Sequence, residues 1–126
     1  MDKRSVGKAG EDAAADFLRK KGYRILGRNV RCRRGELDIV ARHGRTVCFI
    51  EVRSRRNTEG HAAQLESVDA RKRLRLARLA LAYLKDRGWL ERRARFDVVS
   101  VLLRAGDADV ALLQDAFSLD DIPVLS

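Results

Sequence analysis

The segment "LDIVARHGRTVCFIEV", from Leu37 to Val52, constrains the fold more than any other part of the chain. Two apolar runs, "LDIVA" and "TVCFIEV", flank the short polar stretch "RHGR", and both are rich in strand-forming residues. That pattern predicts a hairpin turning at His43-Gly44. Each run also carries a carboxylate among its apolar residues: Asp38 between Leu37 and Ile39, and Glu51 between Ile50 and Val52. An unpaired buried carboxylate is costly, so such groups are normally paired, neutralised or metal-bound. Side chains alternate across a strand, so Asp38 shares a face with Glu36 and Val40, and Glu51 with Phe49 and Arg53. Pairing Arg42 with Arg45 sets Asp38 opposite Phe49 and leaves Glu51 on a diagonal, ~7–8 Å away. Two carboxylates held that close repel unless a cation or a proton lies between them. Two readings stay open at this point. Each acid pairs with one of the chain's many arginines, or both hold a divalent cation. Mg²⁺ commonly takes one or two carboxylates together with phosphate oxygens.

The remaining pattern builds a frame around this hairpin. A first helix is expected from Val6 to Lys21, with Val6, Ala14, Phe17 and Leu18 as its apolar stripe. Glu11 borders that stripe, either as a boundary residue or as the acid of this helix that faces the sheet. A short strand, Tyr23 to Leu26, precedes the basic segment "GRNVRCRRG". "SRRNTEGHAAQLES" reads as a loop with at most a helical turn. A long helix follows from Ala70 to Arg87, capped by Asp69 and ended by Gly88. Ala70, Leu74, Ala77, Leu81 and Leu84 form one apolar stripe, and Leu76, Leu79 and Tyr83 a second, with Lys72 at its head. Lys72 either snorkels to water or points into a partly closed space in search of an anion. "RFDVVSVLL" and "DVALLQDAF" supply two further strands, and the tail from Ser118 shows no pattern. Hairpins combined with a helical crossover give an α/β fold, a mixed central sheet flanked by helices.

A chain of 126 residues suits a single domain spanning 1–126. Its 27 Lys+Arg against 18 Asp+Glu leave a net charge of +9, which points to a polyanionic partner, nucleic acid being the commonest. The basic residues are mostly Arg, whose planar fork suits phosphate. They cluster at Arg28, Arg31, Arg33 and Arg34, at Arg53, Arg55 and Arg56, and at Arg71, Arg75 and Arg78. No run approaches the ~18 apolar residues of a membrane span. The basic helix lacks aromatic anchors for a membrane surface. Cys32 and Cys48 form no CxxC pair, and with His43 and His61 they lack zinc-ligand spacing. With no signal-peptide pattern at the N-terminus, the expected location is cytoplasmic.

Gly10-Glu11 on a helix, then "RNVRCRRGELDIVA", "CFIEVRSR", Lys72 in a helix and "RFDVV", resemble the YraN-like bacterial family. That family is similar to the PD-(D/E)xK superfamily of restriction endonucleases and Holliday-junction resolvases. The resemblance runs from about Val6 to Phe117. It implies a restriction-endonuclease-like fold and hydrolysis of phosphodiester bonds with Mg²⁺ or Mn²⁺, on DNA in preference to RNA. It implies Asp38 and Glu51 as metal ligands, with the Val52 carbonyl as a third, and Glu11 as a helix acid that joins them or holds a water. Junction resolvases supply the analogy for a homodimer. The lysine of the motif is Arg53 here. Arginine stays charged and cannot serve as a base. Arg53 then stabilises charge on the phosphate, in which case Arg53→Lys keeps or raises activity, or Lys72 supplies the amine from its helix. The alternative is a non-catalytic nucleic-acid-binding module that retains the nuclease fold.

Overall fold

The computed structural model describes residues 2–56, 60–66 and 68–121. In chain order the elements are α1 (Lys3–Lys20), β1 (Arg24–Cys32), β2 (Gly35–His43), β3 (Thr46–Arg56), α2 (Ala70–Asp86), β4 (Ala94–Arg104) and β5 (Asp107–Phe117), then a 3-10 turn at Leu119–Asp121. The five strands form one sheet in the order β1-β2-β3-β4-β5. Its pairs are antiparallel except β3–β4, which is parallel and bridged by the α2 crossover. This is the expected mixed sheet flanked by helices, and it agrees with a restriction-endonuclease-like fold.

Alternation along the strands creates two apolar faces, and each takes one helix. Ile39, Ala41, Cys48, Ile50, Val99 and Val101 pack with Ala14, Ala15 and Leu18 of α1. Val40, Val47, Phe49, Phe96 and Val98 pack with Ala77, Ala80, Tyr83 and Leu84 of α2. Each fully buried Val, Leu, Ile or Phe among them contributes about 1.5–3 kcal/mol. The helix starts follow from their caps. Asp2 accepts from the Ser5 N–H at 2.8 Å and Asp69 from the Lys72 N–H at 2.9 Å. The Asp2 cap is why α1 begins at Lys3 rather than Val6.

Two expectations on the strands need correction. β1 runs through "GRNVRC" to Cys32 instead of stopping at Leu26. As an edge strand it carries arginines, and charged edges read as loop in sequence. The β2–β3 register also differs. His43 pairs with Thr46, Arg42 with Val47, and Val40 with Phe49, so the turn is Gly44-Arg45. Gly44 holds φ 62°, the left-handed conformation that a two-residue hairpin asks of its first central residue. The slip of two residues preserves every face. One step beyond the Ile39–Ile50 pair, where the ladder ends, it brings Asp38 and Glu51 level with each other in mid-sheet.

Candidate active site

The site forms where two paired strands part. The β2–β3 ladder ends at Ile39–Ile50, yet β2 stays with β1 as far as Gly35 and β3 stays with β4 as far as Arg56. Beyond that point β2 and β3 diverge into a fork with Asp38 and Glu51 at its crotch. Asn29 on β1 lies between the Arg28–Ile39 and Val30–Leu37 pairs and has φ 49°. Across from it the alternation of β2 breaks, although the register is the same on both sides. Leu37 packs on the α2 side and Ile39 on the α1 side, although they are two residues apart. The side chain of Asp38, between them, takes over a backbone duty: its Oδ2 accepts from the Val52 N–H at 2.9 Å. A carbonyl of β2 would have served had the ladder continued.

Asp38 is poorly compensated. Burial pushes its carboxyl up to about 6; the Val52 N–H opposes that rise, and Glu51, Glu11 and Glu36 add to it. Glu11 reaches the fork because α1 lies against β3 at Gly10. A Cβ at that position would stand 1.7 Å from Ser54 Oγ, so no other residue permits the approach. Glu11 Oε1 accepts from Asn29 Nδ2 at 2.7 Å and from Arg28 Nε at 3.2 Å. Arg28 reaches Asp12 as well, at 2.5 Å.

Glu51 is the better supplied acid. Its Oε1 pairs with the Lys72 ammonium of α2. Its Oε2 accepts from Arg53 Nε at 3.0 Å and lies 2.9 Å from the Nη2 of the same guanidinium. Arg53 Nη1 donates in turn to the carbonyls of Gln64 at 2.6 Å and Glu66 at 3.1 Å. The Gln64 amide, buried, donates to Ser100 Oγ at 2.8 Å, and His61 Nδ1 lies 2.6 Å from the same hydroxyl. Arg53 is therefore a clamp between Glu51 and the 60–66 segment, not a free cation awaiting phosphate.

A groove opens on the α1 side of the fork. Glu11, Asp38 and Val52 line it together with Asp12 and Glu36, and the exposed Lys3, Arg4, Lys8, Arg31 and Arg56 add positive charge around them, Lys8 lying 3.6 Å from Asp12. On the α2 side a smaller pocket has Asp38, Glu51 and Arg75 among its walls; Asp38 lines both cavities, and Glu51 only this one. Of the other arginines singled out in the sequence, Arg33 and Arg34 occupy the exposed β1–β2 turn, Arg55 the exposed end of β3, and Arg71 and Arg78 the outer side of α2. Arg28 is spent on Glu11 and Asp12. Lys3, Arg4, Lys8 and Asn29 also line the groove without standing out in the sequence. The i,i+4 spacing of Arg4 and Lys8 in "KRSVGK" was the available signal.

As hard oxygen donors, the Asp38 and Glu51 carboxylates and the Val52 carbonyl fit a Mg²⁺-type ion in kind. Asp38 has no cation partner among the described residues, and an ion would relieve its repulsion from Glu51, Glu11 and Glu36. The fit is not complete as it stands. Among the described residues no three His, Cys, Asp or Glu side chains gather as a ready ion-holding group. Lys72 and Arg53 already neutralise Glu51, so an ion there displaces part of that pairing. The zinc-type residues are dispersed: His43 stacks on Tyr23 at 4.4 Å, His61 sits against Ser100, and Cys48 is buried with its thiol pushed up to about 12 by burial. No helix among the described residues is long and apolar enough to cross a membrane.

Residues 10–101 match the sequence profile described as "Uncharacterised protein family UPF0102". A UPF0102 protein of Moorella thermoacetica is 50% identical over 119 residues, covering 93% of this chain and 98% of that protein. One from Syntrophus aciditrophicus is 45% identical over 114 residues, 90% of this chain and 89% of its own. One from Nocardia farcinica is 46% identical over 109 residues, 86% and 85% of the two chains.

Proposed function

The chain belongs to the UPF0102 family, the YraN-like family its motifs resemble, and from the geometry of the fork we propose that it is a divalent-metal-dependent nuclease of the PD-(D/E)xK type, acting on DNA. The observation that carries this reading is Asp38. It is a carboxylate held near other carboxylates, with a carboxyl pushed up to about 6, in a groove whose acids have lysine and arginine around them. A fold that only needed stability would pair such a group. Asp38, Glu51 and the Val52 carbonyl would hold a Mg²⁺ or Mn²⁺ ion, which supplies a Lewis acid for the phosphoryl group and a more acidic water.

The chain's own residues account for the rest. Lys3, Arg4, Lys8, Arg31 and Arg56 draw the phosphate backbone into the groove. Gly10 sets the distance of α1, and Asn29 and Arg28 fix the Glu11 carboxylate in the groove. Arg53 orients Glu51. Lys72 brings an ammonium to the same acid from α2 and balances its charge.

The test is cleavage of a panel of linear and branched DNA and RNA substrates with Mg²⁺, Mn²⁺ or EDTA. The proposal expects metal-dependent products, lost in Asp38→Asn and Glu51→Gln. A second reading, a non-catalytic nucleic-acid-binding module, draws support from the pairing of Glu51 with Arg53 and Lys72. Salt-sensitive binding without cleavage of any substrate would establish it in place of the first.

A further inference from the structure

Four arginines, Arg42, Arg45, Arg92 and Arg93, line a depression around Gly44. It lies at the start of β3, the opposite end from Arg56. The β2–β3 hairpin supplies the first two, and the connection from α2 to β4 supplies the others. No acid lines the depression, and among the described residues none of the four takes part in an ion pair. Arg24 sits directly across from Arg42 in the β1–β2 ladder. Like charges placed opposite one another destabilise a sheet, so this concentration calls for an anion.

The backbone that carries the cluster is held in place before anything binds, and one of its guanidinium groups is stacked. The Arg93 carbonyl accepts from the Val47 N–H at 2.9 Å, tying the α2–β4 connection to β3. The Arg92 guanidinium carbon lies 4.4 Å from the centre of the Trp89 ring. Arg45 is fixed in a two-residue turn. Planar guanidinium forks match phosphate oxygens in pairs, and prior ordering reduces the entropy lost on binding.

We propose that this depression is a second phosphate-binding site, which grips a further segment of the nucleic acid that enters the Asp38 groove. The proposal rests on the nucleic-acid reading of the groove and adds a separate anchor to it. Gly44 and Glu51 are seven residues apart on one strand pair, about 23 Å at ~3.3 Å per residue. Both sites are filled at once by a long duplex or by two arms of a branched one, and not by a short duplex.

Trp89 is the chain's one tryptophan, so its emission reports this depression without a label. The experiment compares wild type with R42Q/R45Q/R92Q/R93Q in EDTA, where no cleavage occurs. The probes are inorganic tripolyphosphate, a duplex of about 6 base pairs (~20 Å) and one of about 20 base pairs. In wild type, tripolyphosphate and the long duplex are expected to shift Trp89 emission. In the variant the shift disappears and affinity for the long duplex falls roughly tenfold or more, with a salt slope shallower by ~0.9 for each phosphate no longer neutralised. Affinity for the short duplex changes little. The substitutions remove mutual repulsion, so a melting temperature at or above wild type is the expected folding control. Equal affinities and equal salt slopes in the two proteins overturn the second site and leave the groove reading standing. A response to tripolyphosphate but not to duplex overturns nucleic acid as the occupant of the depression. Failure of wild type to bind any duplex at low salt overturns both readings together.

Discussion

Asp38 in β2 and Asp97 in β4 occupy comparable places on opposite sides of the sheet centre. Each sits in an inner strand where pairing to an edge strand is interrupted, and each faces a residue with left-handed backbone, Asn29 at φ 49° and Asp115 at φ 55°. Their surroundings differ. Asp97 is 1% exposed and surrounded by donors. Tyr23 OH donates at 2.9 Å, Arg95 Nε at 3.1 Å and the Asp115 N–H at 2.8 Å. Burial pulls the Arg95 guanidinium down, but its hydrogen bond and charge attraction to Asp97 outweigh that and hold it firmly protonated. Asp38 has the Val52 N–H and three nearby carboxylates. One aspartate is spent on holding the sheet together. The other keeps an unmet need for positive charge, which is what a site for a cation requires.

The largest effect should come from removing the compensated member. Asp97→Ala strands the Arg95 charge in the interior and is expected to cost about 3–5 kcal/mol in urea unfolding. A cost near zero would erase the difference between the two aspartates.

Next comes Arg53→Lys, which tests whether the Asp38 fork is held by design. A lysine cannot reproduce a fork that serves Glu51 and two carbonyls at once. Single-turnover cleavage is expected to fall roughly 10²-fold, the scale of misplacing a catalytic group by about 1 Å. Full activity, as the bare motif would suggest, would return Arg53 to a charge-only role.

Asp38→Asn should do the reverse of Asp97→Ala and stabilise the metal-free protein. A carboxyl titrating at about 6 instead of 3.8 costs the folded state at most ~3 kcal/mol once ionised. Because the folded protein binds this proton more tightly, wild type is favoured at low pH and loses that advantage as pH rises through about 6. The stabilising effect of Asn is therefore full above pH 6 and absent below pH 3.8, as melting curves across pH would record. Mn²⁺ should raise the melting temperature of wild type and leave that of Asp38→Asn unchanged.

The smallest effect is Tyr23→Phe. It removes one of several donors to Asp97 and should cost about 1 kcal/mol. A loss as large as that of Asp97→Ala would mean that Tyr23 governs the whole network.

The two aspartates also mark the limit of what the sequence discloses. Both stand in apolar strand runs, "LDIVA" and "RFDVV", and nothing local distinguishes them. Asp97 finds its donors on α1's exit, on β4 itself and on β5, from residues as far apart as Tyr23 and Asp115. Compensation is a tertiary property, so only Asp38 drew attention, through its proximity to Glu51. Helical periodicity and caps located both helices within a few residues, because 3.6-residue spacing is a local signal. Alternation puts the β2–β3 pairing on the right faces but two residues out of register, because one glycine decides which residues form the turn. The interruptions at Asn29 and Asp115 left no mark, since Asn and Asp also suit ordinary turns. The saturation of Arg53 was invisible, because its partners are backbone carbonyls of a segment without pattern.

The strands lie in the sheet in the order in which the chain supplies them, and all neighbours but β3 and β4 are joined by two-residue turns. That gives the molecule a timetable. Hairpins close in about 1–10 μs, whereas the parallel β3–β4 pair must first close a loop that includes α2. During synthesis at ~5–20 residues per second, β2 and β3 are available seconds before β4 exists to receive β3. Asp38 and Glu51 are thus brought close in the β2–β3 hairpin before Lys72 arrives, with Arg53 of β3 the cation already at hand for Glu51, and the fork opens only when β4 takes up β3. Pulsed hydrogen exchange during refolding should protect β2 and β3 ahead of β4.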